Sequence, residues 1–115
     1  MREREALSLL LAADFPGVEQ LREQAKAASV AGHCACGCAT IDFSIDAAEA
    51  RPASSREPIP VEAQTRDLHG DAPFELLLFV RDGWLVGLEI VYYGDEIPTE
   101  FPPPSAFEPP VTRSA

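Results

Sequence analysis

Basic residues are scarce in this chain. Lys and Arg number 9 against 19 Asp and Glu, for a net charge of −10. A nucleic-acid reader needs a basic footprint for phosphates, so the balance argues against that class. It also disfavours docking on an anionic membrane surface. Long apolar runs are missing: nothing approaches the roughly 18 residues of a membrane span. A secretory leader wants a cationic start and a longer apolar stretch than residues 7–13 supply. The first residues read instead as amphipathic helix, and the expected location is cytoplasmic.

Catalytic signatures are also lacking. There is no Gly-x-Gly-x-x-Gly, phosphate loop, Gly-x-Ser-x-Gly or His-Glu-x-x-His. Ser54 and Ser55 have no base near them in sequence. The expectation is a protein that is not an enzyme. There are only three cysteines, an odd number, and all fall between residues 34 and 38. A secreted disulfide framework spreads an even number along the chain.

What remains is ordinary globular material. The 115 residues are 46% hydrophobic and make one domain rather than two. Residues 2–12 favour helix, with Leu7, Leu10 and Leu11 as an apolar stripe. Asp14 is placed to cap a second helix, with Pro16 in its first turn. That helix runs to about residue 28, with Val18, Leu21, Ala25 and Ala28 on one face and Arg22 facing water.

Strands follow. Residues 30–36 and 40–45 read as two, and Ile41, Phe43 and Ile45 alternate with Asp42, Ser44 and Asp46. Residues 46–58 are a loop. Residues 59–67 form a weaker strand, which Pro58 and Pro60 assign to an edge. Residues 68–73 are a turn. Residues 74–81 and 84–92 then flank Asp82-Gly83, the signature of a type I′ hairpin. Prolines 98, 102–104, 109 and 110 make the end of the chain an extended tail. The expected fold is α+β: two N-terminal helices on one face of a four- to five-stranded antiparallel meander, over residues 1–97, with a tail from 98 to 115.

Counting outward from the Asp82-Gly83 turn gives both faces of the hairpin apolar residues. One face holds Leu77, Phe79, Trp84, Val86, Leu88 and Ile90. The other holds Leu76, Leu78, Val80, Leu85 and Val91, with Glu89 among them. Two short helices cover only one face. The second needs the tail, a second subunit or a ligand. A ligand groove there would place Glu89 among apolar neighbours, where desolvation opposes its charge.

The most chemically loaded stretch is His33-Cys34-Ala35-Cys36-Gly37-Cys38. On extended backbone, residues i, i+2 and i+4 share a side, so the three thiols converge, with Gly37 letting the backbone fold around an ion. With His33 or His69 as a fourth ligand they make a tetrahedral zinc set. Neighbouring thiols also suit redox exchange. The plainer alternative is that they act as small buried hydrophobes in a strand. Glu89, Asp95, Glu96 and Glu100 gather near the end of the last strand, as a cation site or simply a solvated acidic rim.

Three stretches resemble a family of small single-domain bacterial proteins of high-GC Gram-positive type. They are Asp14-Phe15-Pro16-Gly17, Cys36-Gly37-Cys38-Ala39-Thr40-Ile41-Asp42, and Leu78 to Gly83 through Leu88-Glu89. The resemblance touches most of residues 9–98 and implies no catalytic residue. The last strand with Tyr93-Gly94-Asp95-Glu96 is also similar to the final hairpin of bacterial immunity proteins. Together these readings give three functions. The first is an acidic interaction module, homodimeric or steered to a basic protein. The second is a zinc protein through Cys34, Cys36, Cys38 and His33. The third is a small enzyme or ligand-binding domain built on Glu89.

Overall fold

The structure, a computed structural model, describes residues 2–54, 57–66, 74–93 and 97–113. It is an α+β fold of two helices and a six-stranded antiparallel sheet. The elements are α1 (Arg2–Leu11), α2 (Val18–Ala27), β1 (Ala28–His33), β2 (Ile41–Ile45), β3 (Val61–Gln64), β4 (Glu75–Arg81), β5 (Trp84–Val91) and β6 (Val111–Thr112), with a 3-10 turn at Pro104–Ala106. No helix is long and apolar enough to cross a membrane among the described residues.

The helices follow their apolar stripes. Ala6, Leu7, Leu10 and Leu11 of α1 are buried, as are Val18, Leu21 and Gln24 of α2. The second helix starts later than Asp14 and Pro16 suggest: Gly17 occupies the cap position at φ 88° with no side-chain cap bond. Asp14 is instead an exposed partner of Arg22, 3.5 Å away. Arg22 does not simply face water. Its Nε donates to the Leu11 carbonyl at 2.7 Å and closes the open end of α1.

The strand order is β1-β2-β5-β4-β3-β6, which corrects the expected meander. The chain crosses from β2 to β3, leaving the hairpin β4–β5 between them. The sixth strand comes from the tail, where Val111 pairs with Glu62. That pairing makes β3 an interior strand despite its prolines. Pro60 spares no ladder donor there, and its carbonyl accepts the Arg113 N–H at 2.8 Å.

The hairpin turn is as expected, with Asp82 at φ 52° and Gly83 at φ 85°. A side chain is barred at Gly83, where a Cβ would sit 2.4 Å from the Ala53 carbonyl oxygen. Beyond Val80↔Leu85 the register slips: Phe79 pairs with Gly87, and Val86 is the extra residue of a bulge. One added residue inverts every side chain after it. Leu88 and Ile90 therefore join Leu76, Leu78, Val80 and Leu85 on the buried face. Glu89 and Val91 move to the opposite face with Leu77 and Phe79.

The buried face is the one the helices cover. Gln24 marks the seam, fully buried: its Nε2 donates to the Arg51 and Gly83 carbonyls at 2.8 Å each. Its Oε1 accepts the Leu85 N–H at 2.8 Å. Residues 98–113 of the tail pack back on the domain. Phe101 and Phe107 are buried, and the 3-10 turn packs against α1.

Candidate functional site

The three cysteines do come together, but not as alternate residues of a strand. β1 ends at His33, and residues 34–39 form a turn. The Gly37 N–H donates back to the Cys34 carbonyl at 3.2 Å, with Gly37 at φ 89°. Cys34 N–H donates to the Thr40 carbonyl at 3.0 Å, which continues the β1–β2 ladder under the turn. The far side is anchored twice. Ala39 N–H donates to the Pro98 carbonyl at 2.9 Å, and Thr40 Oγ1 accepts the Ile90 N–H at 3.0 Å. The loop is thus held by its own ladder, by β5 and by the tail.

This scaffold sets Cys34, Cys36 and Cys38 Sγ atoms within 4.8 Å of one another. Cys38 is buried, Cys34 half-buried and Cys36 exposed, and all three are free thiols. Cys34 and Cys36 sulfurs lie 2.9 Å apart, and the Cys38 N–H donates to Cys36 Sγ at 3.4 Å.

The hydrogen bonds divide the thiols. Its hydrogen bond with Cys36 pushes the Cys34 thiol up to about 11. The bond with Cys34 first, then that with Cys38, draws Cys36 down to about 7. Tyr92, at the end of β5, stands beside Cys36. Its phenol is raised above the ordinary tyrosine range, first by desolvation and then by the neighbouring thiols.

His33 does not join the cluster. It lines the wall of a cavity of about 440 Å³ that the cluster opens onto, with Glu3, Cys34, Cys38, Glu100 and Phe101. His69, Asp95 and Glu96 lie outside the described residues. Tyr92, Thr40 and Phe101 complete the surroundings of the cluster and were not singled out from the sequence. The signal for Tyr92 is the β2–β5 pairing, since counting outward from Ile41↔Leu88 brings Tyr92 level with Gly37.

The apolar candidates fall on two sides. Leu76, Leu78, Val80 and Leu85 are buried in the core. Glu89 and Val91 lie half-buried on the opposite face, with Leu77, Phe79, Trp84 and Val86. A shallow depression of about 420 Å³ there is lined by Asp42, Phe79, Arg81, Val86 and Glu89. Glu89 therefore shares this depression with the charged Asp42 and Arg81 as well as with apolar Phe79 and Val86, and pairs with Leu77 across the strands.

A Cys₃ cluster offers two kinds of chemistry. Deprotonated, it supplies three soft ligands to a metal ion. Reduced and metal-free, it supplies an exposed sulfur with a second one in contact. Comparison with protein-family models, with curated proteins and with solved structures found no match to this chain.

Proposed function

We propose that this protein binds a soft or borderline metal ion, zinc first among them, through Cys34, Cys36 and Cys38. The observation that supports this is the convergence of three sulfurs within 4.8 Å on one braced turn. Tetrahedral zinc thiolates hold their sulfurs about 3.8 Å apart, from Zn–S bonds of about 2.3 Å. Cys34 and Cys36 need to part by only about 1 Å to meet that spacing. With three protein ligands, the fourth position is left to solvent or to a group from the adjoining cavity, where His33 and Glu100 stand. Cobalt(II) is the test. One equivalent added to reduced protein should give intense sulfur-to-metal charge-transfer absorption in the near ultraviolet. Cys36→Ser should reduce it sharply. No charge-transfer band with the native chain sinks the reading.

A second reading is the acidic interaction module. It is supported by the sheet face opposite the helices, where Leu77, Phe79, Trp84, Val86 and Val91 are half-exposed among Glu62, Glu75 and Glu89. Such a face suits a second copy of the chain or a basic partner. Light scattering on Phe79→Glu against the native chain checks self-association. A monomer at every concentration in both rules out the homodimer.

A further inference from the structure

The cluster is closed underneath and open above, and that asymmetry gives its three sulfurs different access. Cys38 is buried against the core, while Cys36 is exposed at the tip of the turn. Cys36 Sγ also lies 2.9 Å from the Cys34 sulfur and accepts the Cys38 N–H at 3.4 Å. An exposed sulfur with a second sulfur already in contact is the arrangement that two-thiol oxidation requires. Such oxidation competes with metal binding for the same atoms.

We propose that Cys36 is a hydroperoxide-reactive thiol that closes a disulfide with Cys34, and that closing it ejects the metal from the cluster. The Cys36 thiolate attacks one peroxide oxygen. The O–O bond breaks, a sulfenic acid forms on Cys36, and the leaving oxygen takes a proton as water or alcohol. The Cys34 sulfur, giving its proton to solvent, then attacks the Cys36 sulfur. The S–S bond forms, the S–O bond breaks, and the released hydroxide is protonated to water. In total, two thiols lose two electrons and two protons to one peroxide. An external dithiol returns the electrons by exchange through a mixed disulfide. Cys34 resolves rather than Cys38 because it already touches Cys36. Once the bridge is closed, Cys38 is the one thiolate left, too few to hold the ion.

The release half rests on the metal reading; the thiol half does not. The experiment therefore has two arms on the full-length chain. In the first, reduced protein freed of metal by a chelator receives stoichiometric hydrogen peroxide. Titratable thiols should fall from three to one, with an intact-mass loss of about 2 Da. Digestion should map the bridge to Cys34–Cys36, and Cys36→Ser should slow thiol loss by about tenfold or more. Persistence of three thiols, a bridge to Cys38, or native rates in Cys36→Ser would overturn the proposal. Mapping on the native chain decides the matter even where the variant folds poorly. In the second arm, zinc-loaded protein receives the same peroxide, and a chromophoric chelator reads released zinc. One zinc freed per bridge formed supports ejection. Zinc retained through oxidation refutes ejection. A chain that takes up no zinc yet still forms the bridge defeats the metal reading and leaves the thiol half standing.

Discussion

Cys36 concentrates the chemistry of the molecule at the scale of a single residue. Its hydrogen bonds with Cys34 and Cys38 draw its thiol down to about 7, while that of Cys34 is pushed up to about 11. Only the thiolate alkylates. The rate of iodoacetamide modification of reduced, metal-free protein should therefore contain one thiol with a midpoint near pH 7, located by digestion at Cys36. A first midpoint at the ordinary thiol value of about 8.5 would contradict the hydrogen-bond pattern. The cysteine convergence was legible in the sequence because three sulfurs in five residues cannot stray far. Its cause was legible in part: the spacing suggested strand alternation with a bend at Gly37, whereas that glycine, at φ 89°, folds the whole segment into a turn. Gln24 was illegible for the opposite reason. A polar residue on a helix reads as solvent-facing, and only the tertiary seam with Gly83 and Leu85 shows it buried with its hydrogen bonds made.

At the scale of the element, the bulge at Val86 decides which side chains meet. The Asp82-Gly83 turn was readable because both residues tolerate positive φ. The faces beyond it were not, since one inserted residue leaves apolar residues on both sides and alternation alone does not reveal it. Gly87 is the trace it leaves in the sequence: a Cβ there would lie 2.9 Å from the Ile41 carbonyl oxygen of the neighbouring strand. The two sides of the bulge should respond differently to truncation. Leu88→Ala should cost about 3 kcal/mol by opening a cavity in the core. Val86→Thr, on the half-exposed face, should cost under about 1 kcal/mol. Urea unfolding of both variants reads the difference, and equal losses would mean that the hairpin is in uninterrupted register.

At the scale of the whole molecule, the site depends on chain segments far apart in sequence. The cysteine turn lies between β1 and β2, is braced by Ile90 on β5, and is tied by Pro98 to the tail. Proline density marked that tail as extended and left its course open, with cover of the second sheet face as one option. Phe101 and Phe107 settle its course by burying themselves, and β6 turns an expected edge into an interior strand. The helices, the antiparallel class and the hairpin came from local patterns. The strand order, with β2 against β5, came from pairings that no local pattern encodes. The central claim is that this fold gathers three cysteine sulfurs that bind one metal ion. Native mass spectrometry of the reduced full-length chain with equimolar zinc tests it most directly. The account predicts one zinc per chain, lost when Cys34, Cys36 and Cys38 are all replaced by serine. Bare chains alone, or zinc retained by the triple variant, would contradict it.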